Sequence, residues 1–167
     1  MAIPDLRNDG YLPAGKHQAS LIDIKKRFVK TGHQKKLWRN FNCWLDEVMF
    51  FLPAQKLWIS GSFLSHKRSA NDIDVVVWID TGQPIDVERL ASLRTHNNAY
   101  TPFKDDDGQI NFDPLPRIQP GNGRIDAFYA KVGNVDNETY WSEVWSTIVD
   151  KDTNTVLGTK GFLEVRL

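Results

Sequence analysis

Two aspartates stand two residues apart at the start of a β-branched run, in the segment DIDVVV at residues 72–77. In a β-strand, Asp72 and Asp74 point to the same face. Their Cα atoms then lie roughly 7 Å apart, at a rise of about 3.3 Å per residue. Two carboxylates at this distance repel each other, and folding of the strand does not require them. Two divalent metal ions about 3.5–4 Å apart, held by shared carboxylates, would neutralise that repulsion. We therefore treat Asp72 and Asp74 as candidate metal ligands and catalytic residues.

A Gly-Ser pair precedes the aspartates. Gly61 and Ser62 follow an apolar run, and nine residues separate Ser62 from Asp72. A turn of this composition offers backbone N–H groups and a hydroxyl, which are the groups that hold a phosphate. The turn and the two carboxylates together predict nucleotide chemistry. The alternative is a strand with one polar edge and a loop glycine, which leaves both aspartates unexplained.

The spacing of these residues resembles the signature of the nucleotidyltransferase superfamily, the group related to DNA polymerase beta. The specific part of the resemblance covers about 20 residues of the 167-residue chain. It implies that Gly61 and Ser62 close over the β and γ phosphates of an NTP substrate. It also implies that Asp72 and Asp74 bind Mg²⁺ (or Mn²⁺), and that a third carboxylate on a later strand completes the site. The signature has an apolar residue before the Gly-Ser pair, whereas Ser60 stands there in this chain.

Asp126 is the candidate for the third carboxylate. It lies in RIDAFYA (residues 124–130), where apolar residues alternate as in a strand. A further anionic ligand is needed where the acceptor hydroxyl is activated, and the same carboxylate can accept the proton. The alternative is a strand-edge aspartate paired with Arg124 or Arg117. Asp113 and Glu164 are weaker candidates for the same role.

Two basic residues, Lys67 and Arg68, lie in the connection between the turn and the aspartates. Either would offset the charge of a triphosphate, and an arginine suits bidentate contact. The alternative is a pair of ordinary exposed basic residues on a loop. His66 is interpreted as a surface histidine rather than a catalytic base.

The elements that must position these residues alternate between helix and strand. Ser20 and Asp23 predict the start of a helix, because they match an N-cap with an acidic partner three residues on. Apolar spacing predicts a second helix at about 34–50, ended by Pro53. Strands are predicted at about 56–60 and 72–79, and a short helix near 87–95. These elements predict an α/β (α+β) fold, a small mixed sheet with helices packed on one side, as in the nucleotidyltransferase core.

The remaining segments leave alternatives open. Residues 96–123 are rich in turn formers and predict either a hairpin around residues 107–108 or a mobile loop over the active site. The acidic run at 105–107 is interpreted as solvated. A helix is predicted to start near Asp136 or Asn137, followed by a hairpin of 156–157 with 162–167. The six tryptophans are interpreted as core residues, with base stacking or a partner surface as the alternative.

Composition limits the function further. The chain is long enough for one domain with its own core, and we expect a single nucleotidyltransferase-like domain over 1–167 with an extended N-terminal arm at 1–19. The formal net charge is zero, so a polyanion such as a nucleic acid would have to bind to a locally basic surface. The single cysteine, Cys43, fits a reducing compartment and is expected in the core. No membrane segment or signal peptide is recognised, which predicts a cytoplasmic protein without a membrane partner.

The pattern as a whole looks like a minimal stand-alone nucleotidyltransferase of prokaryotic or phage type. The arm motif DGYLPAGKH (residues 9–17), with GSFLSHK, NDID and Lys160-Gly161, is also similar to an uncharacterised phage and bacterial family. The resemblance to nucleotidyltransferases implies transfer of NMP to a hydroxyl of an RNA 3′ end (tRNA included) or of a protein, in a toxin–antitoxin, phage or defence setting. No biochemical role follows from the similarity to the uncharacterised family. The alternative is a catalytically silent module that binds and neutralises a partner protein. Transfer to a small molecule is less favoured, since no separate acidic substrate-binding domain is recognised.

Overall fold

The computed structural model describes residues 3–66, 70–83, 100–104, 110–114, 120–150 and 152–167, with the backbone alone described at 100–104, 110–114, 120 and 122. The candidate phosphate-binding residues Lys67 and Arg68, the acidic run at 105–107 and the predicted helix near 87–95 lie outside these ranges. The described elements, in chain order, are β1 (Gly15–Gln18), α1 (Leu21–Phe28), α2 (Gly32–Phe51), β2 (Ala54–Ser60), a 3₁₀ turn (Ser62–Leu64), β3 (Ile73–Ile79), β4 (Tyr100–Lys104), β5 (Ile110–Pro114), α3 (Pro120–Gly123), β6 (Ile125–Lys131), α4 (Val135–Ser146), β7 (Thr147–Val149), β8 (Val156–Thr159) and β9 (Gly161–Arg166).

Five of the described strands form one sheet in the order β1-β9-β2-β3-β6. The sheet is mixed, because β1 runs parallel to β9 and β3 parallel to β6, while β2 is antiparallel to both of its neighbours. Two further pairs, β4–β5 and β7–β8, form separate antiparallel ribbons. This architecture confirms the predicted α+β class with a small mixed sheet.

The first two helices, α1 and α2, begin at capping boxes. In α1, the Asp23 N–H donates to Ser20 Oγ and the Ser20 N–H donates back to the Asp23 carboxylate, as predicted. Thr31 and Gln34 make the same exchange at the start of α2, which therefore begins two residues earlier than predicted. No helix in the described part of the chain combines the length and apolar composition that a membrane crossing requires.

Helices α1 and α2 cover one face of the sheet. The predicted stripe of α2 is fully buried and packs with α1 against the inward side chains of β2 and β3, burying Leu37, Phe41, Trp44, Leu45 and Val48. Burying a large apolar side chain of this kind stabilises the fold by about 1.5–3 kcal/mol. This layer therefore holds β2 and β3, the two strands that flank the Gly-Ser turn, in a fixed register.

The opposite face carries an aromatic cluster to which α4 contributes Trp141 and Trp145. Helices therefore pack on both faces of the sheet, and not on one side as predicted. Trp58 lies at the centre of the sheet side of this cluster, with ring centroids 4.5 Å from Trp78 and 4.9 Å from Phe162. All six tryptophans of the chain are at most 9% exposed. This confirms the interpretation of the tryptophans as core residues.

Three further predictions concern residues 96–123, Cys43 and the C-terminal strands. The hairpin alternative for 96–123 is confirmed, since β4 and β5 pair. The prediction of a buried Cys43 is wrong, because this residue lies on the exposed side of α2. The C-terminal hairpin is also wrong, because β8 pairs with β7 while β9 inserts between β1 and β2. The alternation of apolar residues predicts that these segments are strands, but it does not predict which strands they pair with.

Candidate active site

Asp74 and Asp126 are direct neighbours across two parallel strands, β3 and β6. Hydrogen-bonded strands lie about 4.8 Å apart, so the two side chains leave the sheet side by side on the same face. Ser60 of β2 is the partner of Asp74 on its other side, and its Oγ donates to the carbonyl of Trp145. Asp72 stands one residue before β3 and faces the same cavity. The three predicted carboxylates are therefore brought together at one end of the sheet.

Gly61 lies directly beneath the Asp74 carboxylate. A β-carbon at this position would overlap Asp74 Oδ2, with Cγ also inside contact distance. The backbone at Gly61 has φ 81° and ψ −168°, a region that is essentially restricted to glycine. Both the conformation and the close approach of the carboxylate therefore require a residue without a side chain here.

The Gly-Ser pair opens a single 3₁₀ turn. Inside it the Leu64 N–H donates to the Gly61 carbonyl (3.2 Å), and both the N–H and the Oγ of Ser65 donate to the Ser62 carbonyl (3.2 and 2.7 Å). The first N–H that donates within the turn is that of Leu64, so the N–H groups of Ser62 and Phe63 precede it in the chain. Such leading N–H groups are the ones a helical turn offers to an anion.

The N-terminal arm forms one wall of the site. Asp9 accepts from the Arg7 guanidinium (2.6 and 3.1 Å) and from the Tyr11 N–H (3.2 Å), which closes a tight turn. The Arg7 hydrogen bond lowers the pKa of the Asp9 carboxyl below its ordinary value. The Gly10 carbonyl accepts from the His66 N–H (3.2 Å), so the arm is joined to the segment that follows the Gly-Ser turn.

These elements enclose a cavity of about 690 Å³. Its wall combines residues from the arm, the turn, the strand ends and the β7–β8 ribbon, namely Asp9, Gly10, Tyr11, Gly61, Ser62, Ser65, His66, Asn71, Asp72, Asp74, Asp126, Ile148, Val149 and Lys160. Its volume falls within the range of small-molecule sites.

Four aspartates and one lysine make the described wall strongly anionic. Carboxylate oxygens are the ligands that Mg²⁺ prefers, and this ion is usually held by one or two carboxylates together with substrate phosphates. Asp74 and Asp126 supply such a pair, with Asp72 two residues away. Among the described side chains, no group of three or more His, Cys, Asp or Glu is arranged to hold a metal ion by itself. The residues present fit a metal that is shared with a bound triphosphate.

The structure thus brings together five of the predicted site residues: Asp72, Asp74, Asp126, Gly61 and Ser62. It adds Lys160, Asp9 and Tyr11, which the sequence pattern did not single out as site residues. Lys160 follows β8 and reaches the cavity because its N–H donates to the Ser146 carbonyl at the end of α4. The short dipeptide Lys160-Gly161 was the only sequence signal at this position.

Glu164, one of the two weaker candidates, packs in the aromatic face of the sheet and does not line the cavity. It is 4% exposed and accepts from Trp58 Nε1 (2.7 Å), from the Gln18 amide and from Lys16 Nζ (3.1 Å). Burial raises the pKa of its carboxyl, but these donors outweigh burial and hold the pKa at about 2, below the ordinary 4.5. Asp113, the other weak candidate, lies on β5 away from the five-stranded sheet.

Comparison with known proteins gives one match. A protein-family model covers residues 4–166 and carries the description "family of unknown function". No curated protein and no solved structure matches the chain. Since the matched region spans nearly the whole sequence, the chain belongs to the family DUF6932, a family of unknown function.

Proposed function

We propose that this protein is a metal-dependent nucleotidyltransferase that moves NMP from an NTP to an acceptor hydroxyl. The observation that carries the proposal is the pairing of Asp74 with Asp126, next to Gly61, whose missing side chain leaves room for the Asp74 carboxylate. Like charges directly opposite each other on neighbouring strands repel, and a bound cation relieves this repulsion. The position of both carboxylates in a cavity of small-molecule size supports a role in binding and catalysis.

The residues of the cavity divide into two groups. Gly61 and Ser62 would hold the β and γ phosphates through N–H groups and the Ser62 hydroxyl, with Lys160 adding a positive charge from the opposite wall. Asp72, Asp74 and Asp126 would hold Mg²⁺ or Mn²⁺. When bound, such ions neutralise phosphate charge and lower the pKa of the attacking hydroxyl.

The reaction is an in-line displacement at the α phosphorus. Asp126 accepts the proton of the acceptor hydroxyl, whose oxygen forms the new bond to phosphorus. The bond from the α phosphorus to the bridging oxygen breaks, and pyrophosphate leaves. The acceptor is a hydroxyl of an RNA 3′ end or of a protein side chain.

The proposed setting is a prokaryotic toxin–antitoxin or phage-defence system in the cytoplasm, where NTPs and Mg²⁺ are available. It is supported by the resemblance of the Gly61-Ser62 and Asp72–Asp74 spacing to small stand-alone prokaryotic nucleotidyltransferases. A tRNA pool and a host lysate, each incubated with α-labelled NTPs, would identify the acceptor by the macromolecule that acquires label.

The deciding experiment is a titration of each NTP with and without Mg²⁺, followed by a pyrophosphate-release assay. We expect NTP binding that depends on the metal and is lost in Asp74→Asn. Asp46→Asn, which removes an exposed carboxylate from α2, is the matched control. A protein that binds no NTP with Mg²⁺ or Mn²⁺ would instead be a silent binding module of the same fold.

A further inference from the structure

The positive charge of this neutral chain is concentrated on its first two helices. Residues 21–40 contain seven of the 21 Lys and Arg residues but only one of the 21 Asp and Glu residues. This segment therefore carries a net charge of +6, and the rest of the chain carries −6. A local field of this kind attracts polyanions even when the whole molecule is neutral.

Six of these basic residues form what we call the basic surface: Lys25, Lys26, Lys30, Lys35, Lys36 and Arg39. All six are exposed. None of them appears in the salt bridges of the described part of the chain, whereas the seventh, Arg27, pairs with Asp5 at 2.9 Å. The charge of the basic surface therefore faces solvent.

The basic surface is continuous with the candidate active site. The lining of a cavity of about 790 Å³ includes Lys26 and Lys30 together with Ser65 and His66. Ser65 and His66 also line the cavity that contains Asp74 and Asp126. The two cavities therefore share a wall at Ser65 and His66, and a strand held by Lys26 and Lys30 lies next to the cavity of the carboxylates.

Part of the wall of this cavity is apolar, with contributions from Ile3, Leu6 and Phe28. Lysines beside apolar side chains suit a chain that alternates phosphates with flat or apolar groups. A nucleic-acid strand has this character, and exposed lysines contact its phosphates without regard to sequence.

We propose that the basic surface binds the phosphodiester backbone of a nucleic-acid strand and directs its 3′ hydroxyl towards Asp126. The proposal rests on the proposed function and selects nucleic acid over protein as the acceptor. The basic surface holds the strand, and the carboxylate cavity receives only its end.

The test measures binding alone, without NTP. A fluorescent single-stranded RNA and a DNA of the same sequence are titrated with the whole protein, and anisotropy is recorded at several salt concentrations. We expect Lys26→Glu/Lys30→Glu to weaken binding at least about 10-fold and to reduce the slope of log affinity against log salt by about 1–2. The control Lys131→Glu/Arg166→Glu makes the same charge change at the far ends of β6 and β9 and should bind like the native protein.

A second variant protects the test against a folding defect, because the Lys30 ammonium donates to the Lys26 carbonyl at the end of α1. Lys35→Glu/Lys36→Glu changes two exposed residues of α2 and should also weaken binding severalfold. A preference for RNA or for DNA would identify the natural strand.

Three outcomes would overturn the inference. In the first, the native protein binds neither strand; in the second, both basic-surface variants bind as tightly as the native protein; in the third, poly-glutamate displaces the strand as well as unlabelled nucleic acid does. The last outcome would indicate an acidic protein partner. NTP binding measured in parallel separates the two proposals. Metal-dependent NTP binding without nucleic-acid binding overturns this inference alone. If the native protein binds no NTP, the proposed function is overturned.

Discussion

The carboxylate of Asp74 lies over the Cα of Gly61, in the space that a β-carbon would occupy. Asp74 is also the strand neighbour of Asp126. The glycine of the turn therefore positions a carboxylate as well as opening the turn. This contact links the turn that would hold phosphates to the residues that would hold the metal.

Gly61→Ala is expected to abolish metal-dependent NTP binding, because its methyl group must displace the Asp74 carboxylate. Adopting this backbone conformation costs an alanine about 1–3 kcal/mol as well. Gly133→Ala is the matched control, since Gly133 also has a positive φ (77°) but open space around its Cα. Thermal unfolding and NTP titration of both variants separate backbone strain from loss of the site. Native NTP affinity in Gly61→Ala would contradict the assignment.

Asp126→Asn should retain the fold but lose pyrophosphate release by a factor of about 10²–10⁴, the usual contribution of a positioned general base. The amide keeps the shape of the carboxyl and removes its ability to accept a proton. The assay compares initial rates with those of Asp46→Asn. Equal rates in the two variants would remove Asp126 from the mechanism.

Lys160→Met should weaken NTP binding by about 10- to 100-fold, which corresponds to the loss of one hydrogen bond to a charged group. The substitution keeps the length of the side chain while removing the charge from the cavity wall. Lys131→Met, at the opposite end of the sheet from the carboxylates, is the control. The proposed phosphate contact is wrong if both variants bind NTP with the same affinity.

The lowered pKa of Glu164 should make the free energy of unfolding depend on pH. Its pKa is held at about 2 in the folded protein against an ordinary 4.5, so folding favours the ionised form. Its stabilising contribution is complete above pH 4.5 and is lost as the pH falls towards 2. Denaturant unfolding at neutral pH should show Glu164→Gln less stable by about 2 kcal/mol, from the lost charged hydrogen bonds.

The difference between the native protein and Glu164→Gln should shrink as the pH is lowered through that interval. Glu138→Gln is the control, because Glu138 pairs with Lys56 at the exposed edge of the same network. A difference that stays constant down to pH 2 would show that the ionised form is not favoured by folding.

Much of the local structure is already determined by the sequence. Caps and apolar periodicity act between residues a few positions apart, so Ser20 and the stripe of α2 predict their helices correctly. The spacing of Gly61, Ser62, Asp72 and Asp74 likewise identifies a candidate site within one short segment. The failures among the local predictions are Cys43, which is exposed although Phe41 and Trp44 are buried, and the missed cap at Thr31.

The tertiary structure alone decides which distant segments meet. Asp74 and Asp126 are neighbours only because β6 pairs with β3 in one register, and a shift by one residue would place Asp126 on the other face of the sheet. Long-range pairing also inserts β9 beside β2, which places Glu164 against Trp58. It brings Lys160 and the arm turn at Asp9 to the cavity. Strand partners are chosen by packing across the whole core, which no local pattern of residues contains.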